Sequence, residues 1–313
     1  MARSMLEDGL LIISQCKSVT GDVWEAHFGA AAIAGYFFVK ENPIPLDTVN
    51  RIMAQSETML DKHSSRGAAP PVVGIDPGDA EKMILESLEP GIDELHWVGH
   101  NVIYAALSLL AIQELGRWGT KDEILGISTL IRSFNKSIPG RSWIGYSVSD
   151  VRKLEIDEND HFPAIANAGQ LSEFILTELS SFRTIYRAEA HHDLIGHMLT
   201  FSHALNILFD LGHVSYFKRG LLPLLKLVKV LRASHNLEAE YPVQLSSPVD
   251  RQPLIKADRS EWLPVEYEYW SRDYAHHDWD FGHVFKFPFS FYNHLGRVSF
   301  PLIKAIENFR YIV

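Results

Sequence analysis

The chain has 313 residues, 46% of them apolar and 22% charged, with a formal net charge of −10. That is ordinary globular composition for one large domain or two small ones, and the acidic balance argues against a general nucleic-acid or anionic-membrane surface. The lone cysteine, Cys16, excludes an intrachain disulfide and a thiolate metal cluster and fits a reducing, cytoplasmic setting, whereas histidines number fifteen.

Glu7 and Asp8 precede the first apolar stretch, unlike the basic start of a signal peptide. Helical periodicity covers 5–19. A second helix is expected over 22–41, with Asp22 as a candidate cap and Pro43 and Pro45 ending it. A third spans 46–63 with a polar outer face. The Pro- and Gly-rich stretch 64–78 reads as a loop. A short helix at 79–88 stops at Pro90, a long apolar helix follows at 92–116, and an amphipathic one at 120–135. The region 137–167 is irregular. Helices are then expected at 171–185, 188–211 and 220–234. A long irregular segment covers 236–276, including the His276–His277 pair beside Asp278 and Asp280, and irregular segments of that length often carry function. A closing pair covers 281–296 and 298–311, with Pro288 expected to kink or delay the first of them. The longest apolar runs, 28–39 and 102–112, read as core helices too short to span a bilayer. Strand signals are nearly absent, so the class is all-α and the expectation is a single domain over 1–313.

The apolar helices resemble one another. Each opens near a histidine (His27, His100, His197, His283), continues into a stretch of small and apolar residues, and is followed by an amphipathic partner. A helix apolar on all sides must be buried. Four such pairs suggest an α/α bundle or partial toroid, with inner helices around a central cavity. Histidines at equivalent positions on those helices would meet there, and imidazole nitrogen binds iron, copper, zinc or nickel. Four neutral imidazoles leave a dication uncompensated, so an anionic ligand is expected. Lys286 lies one turn beyond His283 among phenylalanines. Burial there would favour a neutral amine, which adds carbon dioxide to give a carbamate. His96, four residues before His100, and His192 and His203 are reserves that would support or replace these ligands. Asp22, Glu25, Asp93 and Glu94 sit near the starts of inner helices, as caps or as acid/base pairs. Nucleotide-binding and serine-hydrolase motifs are absent.

The run DFGHVFK from Asp280 to Lys286 resembles the histidine-to-lysine segment near the C-terminus of the questin oxidase-like family. GHNVIYAALSLLAIQELG from Gly99 is similar to that family's histidine-led segment, and the stretches from His27 and His192 match more loosely. The resemblance implies an α-helical oxygenase of polycyclic aromatic, quinone-type polyketides. It also implies non-haem Fe(II) held by His27, His100, His197 and His283, with Lys286 carboxylated. His96, Lys286 and His203 are candidates for catalytic roles, and Trp97, Tyr104, Phe201 and Tyr292 for an aromatic-substrate pocket. Partners would be the aromatic substrate and dioxygen, with NADPH allowed as a reductant although no nucleotide motif supports it. The competing readings are an α/α-toroid hydrolase or cyclase using zinc or carboxylates, and a non-catalytic helical scaffold.

Overall fold

A computed structural model describes residues 2–63, 74–238, 243–274, 280–300 and 302–313. It is all-α. Among the described residues the only strands are Trp143–Ile144 (β1) and Leu245–Ser246 (β2), an antiparallel pair with Trp143 opposite Ser246. The chain forms two compact units. The first comprises Met1–Pro90, Asn101–Asn135 and Trp262–Phe289, and the second Gly91–His100, Lys136–Glu261 and Ser290–Val313.

In the first unit, α1 (Ala2–Gln15) buries Met5, Leu6, Leu10 and Ile13 along one stripe and ends in a π-turn, Cys16–Thr20. The helix α2 (Ala26–Glu41) buries nearly every residue from Ala26 to Ala34, as its all-round apolar sequence requires. It starts later than expected because Asp22 caps a turn instead, its Oδ1 accepting from the Trp24 N–H at 2.9 Å. A Cβ at Gly29 would overlap the Gly9 carbonyl oxygen, so the α1–α2 crossing requires glycine. The outer helices α3 (Leu46–His63), α4 (Pro77–Leu88) and α6 (Lys121–Ser133) each bury one stripe, on α6 Ile124, Ile127 and Ile131. Thr120 and Glu123 form a reciprocal capping box at the start of α6. Between them, α5 (His100–Leu115) is apolar all round. By length and composition alone the stretch 97–115 could cross a membrane, but 83% of it is buried inside the protein, in keeping with the expected core helix.

The second unit holds α7 (Val148–Lys153), α8 (Ala168–Ser181), α9 (Leu194–Asp210), α10 (Val214–Arg232) and α12 (Ile303–Phe309). A π-turn, Glu189–Asp193, leads into α9, whose residues from Leu194 to Leu208 are all buried. α10 begins six residues earlier than expected and runs on through Pro223. The helix α11 (His283–Gly296) gives its first half to one unit and its second half to the other, and it also continues through its proline, Pro288. Proline removes one ladder hydrogen bond, and the buried side chains of Phe285, Phe287, Phe289 and Phe291 hold the helix on either side. The His276–His277 pair, Asp278 and most of the loop expected at 64–78 lie outside the described residues.

Candidate metal-binding histidines

All four histidines of the repeat are in the first turn of a helix and are buried: His27 in α2, His100 at the start of α5, His197 in α9 and His283 at the start of α11. Two of these helices begin in the same unusual way. Trp97, Val98 and Gly99 have φ of 41°, 51° and 94°, and Asp280, Phe281 and Gly282 have 42°, 51° and 71°. Three successive left-handed residues, with a β-branched valine among them, are strained and persist only where the surroundings impose them. In the first turn, the Trp97 and Val98 N–H groups donate to Ile138 and Pro139 carbonyls at 2.9 and 2.7 Å. Each turn closes on a glycine with no room for a side chain: a Cβ at Gly99 would overlap the Phe201 ring, and one at Gly282 would overlap Ala31. Both turns deliver a histidine as the first residue of the following helix. The signal is legible in hindsight as a glycine immediately before His100 and before His283.

In the first unit, the His27 and His283 rings lie 6.0 Å apart. His27 Nδ1 is 3.1 Å from the Trp24 carbonyl oxygen and 2.7 Å from Tyr104 Oη. A carbonyl only accepts, so Nδ1 carries the proton and Nε2 the lone pair. His283 Nδ1 faces Asp280 Oδ2 at 3.6 Å, and its ring stacks on Phe287 at 4.4 Å. Lys286 follows one turn later and is 5% exposed, between the buried Phe285 and Phe287.

In the second unit, the His100 and His197 rings lie 4.9 Å apart at 61°. His100 Nδ1 donates to the Trp97 carbonyl, repeating the bond from His27 to Trp24, so its Nε2 is also free of the proton. His197 Nε2 lies 3.5 Å from Asp193 Oδ2, and this carboxylate is 17% exposed. Asp193, which the sequence reading did not single out, is the last residue of the π-turn preceding α9.

The other candidates take different places. His96 is not on the helix of His100: its backbone is extended (φ −110°, ψ 116°) and the left-handed turn intervenes, so the four-residue spacing does not align the two on one helical face. Burial lowers its pKa, against the opposing pull of Glu94 at 3.9 Å. His192 Nδ1 lies 3.1 Å from the Ala188 backbone nitrogen and 2.9 Å from the Ala188 carbonyl oxygen. His203 is in the second unit's polar core, with Nδ1 3.1 Å from Ser290 Oγ, and burial pushes its pKa well down. His294 joins that core: its Nδ1 is 2.9 Å from Ser172 Oγ and its Nε2 2.8 Å from Ser202 Oγ. Of the pocket candidates, Tyr104 is fully buried against His27, and burial raises its pKa well above the ordinary phenol range. Phe201 is buried over Gly99, while Trp97 and Tyr292 are half-buried. The carboxylates weighed as acid/base pairs are otherwise engaged. Arg219 holds Asp93 bidentately at 2.9 and 2.6 Å and lowers its pKa, and Glu25 pairs with His63 at 3.0 Å.

No family model, curated protein or solved structure matches this chain.

Proposed function

We propose that the protein is a metal-dependent oxygenase, with non-haem iron and a polycyclic aromatic, quinone-type substrate, as the resemblance to the questin oxidase-like family implies. The observation that carries the metal reading is the His100–His197 pair. Two imidazoles bound to one ion at about 2.1 Å, at an angle between a right angle and the tetrahedral value, have ring centroids roughly 4.5–5.2 Å apart. The 4.9 Å separation falls in that range. His27 and His283 enter the same reading as ligands, and Lys286 as the lysine that the resemblance makes carboxylated.

The local partners support the assignment. A ligating histidine usually gives its other ring N–H to a carbonyl or carboxylate, which fixes its tautomer and orientation. The Trp24 and Trp97 carbonyls do this for His27 and His100, and Asp280 faces the Nδ1 of His283. In this reading Nε2 is the ligating nitrogen of each. Iron(II), when bound, supplies activation of dioxygen. The protein's part is to orient the substrate and exclude water; the buried Phe201 and the half-buried Trp97 next to His100 are the aromatic surfaces for this in the second unit.

The test is elemental analysis of the full chain purified without chelators, alongside a His197→Ala variant, with oxygen uptake measured on a hydroxylated anthraquinone. We expect about one equivalent of iron, lost in the variant, and substrate-dependent oxygen consumption. Absence of metal from the native chain, or equal metal in the variant, refutes the reading. Zinc without oxygen uptake would favour a hydrolase instead.

A further inference from the structure

We propose that Phe281 and Trp24 form a stacking platform for a planar, polycyclic aromatic ligand in the first unit, beside His27. The proposal rests on the oxygenase reading above and deepens it by naming where the ring system of the substrate lies.

Exposure and strain coincide at Phe281. The residue is 44% exposed, although burial is what stabilises a phenylalanine. Its φ is 51°, between Asp280 at 42° and Gly282 at 71°. A bulky residue in the left-handed region is a conformational outlier, and such outliers gather at ligand clamps and active sites. The turn is held from beneath, because Gly282 packs on Ala31 too closely to admit a side chain. Lone exposed phenylalanines are ordinary on protein surfaces. This one is held in strain, among other rings, two residues before His283.

Three rings surround it. The Trp24, His27 and Phe28 centroids lie 6.0, 5.4 and 6.2 Å from that of Phe281. Trp24 is half-buried and its ring is 5.6 Å from His27. A ligand on the exposed part of Trp24 and Phe281 therefore sits one ring removed from the His27 imidazole. Shape and polarity select the occupant. Trp24 and Phe281 are tilted by 45°, so a flat ligand stacks on one and meets the edge of the other, both of which are favoured aromatic arrangements. Contact with two rings at once needs a fused polycycle rather than a single ring. The polar group of the cluster is Glu25: Phe28 stacks on His63 at 3.5 Å, His63 Nδ1 lies 3.0 Å from the Glu25 carboxylate, and Glu25 remains 40% exposed. That carboxylate gives the rim an acceptor for a phenolic hydroxyl.

The experiment is equilibrium dialysis of the full chain, as purified and with oxygen excluded, against a dihydroxyanthraquinone. Its hydroxyls are adjacent neither to each other nor to a carbonyl, so it does not chelate metal. Phe281→Tyr keeps the ring, Phe281→Leu keeps the apolar bulk without it, and Phe281→Asn suits the left-handed conformation. Circular dichroism and melting check that each variant folds. We expect the tyrosine variant to bind as the native chain does, and the leucine and asparagine variants to bind about 10-fold more weakly. A folded leucine or asparagine variant with native affinity overturns the platform and leaves the metal and oxygenase reading intact. A native chain that does not bind the probe also overturns the platform, and the iron content of the same samples decides the metal reading separately.

Discussion

His294 gives the sharpest test of the polar core in the second unit. It is fully buried, and desolvation pushes its pKa from 6.5 down to about 4. Its Nε2 reaches the Leu199 carbonyl at 3.1 Å, and a carbonyl only accepts, so the proton is on Nε2. Nδ1 then accepts from the Ser172 hydroxyl at 2.9 Å. A second proton on Nδ1 would replace that accepted bond with a buried charge. The unfolded chain therefore binds the proton more readily than the folded one between pH 6.5 and 4. Stability from this group is fully present above pH 6.5 and is lost as the pH falls toward 4. At 1.36 kcal/mol per pKa unit, the loss between pH 7.5 and 4.5 is about 2 to 3 kcal/mol. Urea unfolding at those two pH values, for the native chain and His294→Gln, measures it. The glutamine variant is less stable at pH 7.5, but its loss on acidification should be smaller than the native loss by about that amount. Equal losses in the two proteins would mean that His294 does not titrate between its folded and unfolded states, and the reasoning fails.

Gly282→Ala places a Cβ into Ala31 at a φ of 71°. The combined overpacking and left-handed strain should cost roughly 2–4 kcal/mol, read as a lowered urea midpoint, and a neutral result would mean that this turn is not held as described. Asn308 donates from Nδ2 to the Leu179 and Phe182 carbonyls at 2.8 and 2.9 Å, where α8 ends. Asn308→Ala should destabilise the second unit by about 1–3 kcal/mol, and thermal unfolding that matches the native protein would count against that role.

Much of the fold was legible in the chain. The helices at 46–63 and 120–135 were readable because one apolar stripe suffices to define an amphipathic helix; Leu46–His63 falls on the expected bounds and Lys121–Ser133 within them. The buried helices that follow His27, His100 and His197 were equally readable, since a helix without a polar face has only the interior to occupy. Less legible were the starts of the inner helices. Periodicity carries the pattern of 92–116 straight through His96, but the left-handed residues Trp97, Val98 and Gly99 break it, and only their packing against residues 138–139 and Phe201 holds them there. The polar core was hidden too: Ser172, the Ser202 and Asn206 pair on α9, and His294 are far apart in sequence, and hydrogen bonding between them carries no local signature.

The sequence by itself determined that the chain is helical, which helices are buried, and that a histidine stands at the first turn of four of them, because each follows from local periodicity and composition. The folded backbone, locally and at long range, decided which groups face those histidines. The Trp24 and Trp97 carbonyls, the Tyr104 hydroxyl and the Asp193 carboxylate all reach them through backbone geometry, a π-turn, one left-handed turn and one long-range contact, and sequence spacing does not encode the direction in which a nitrogen points.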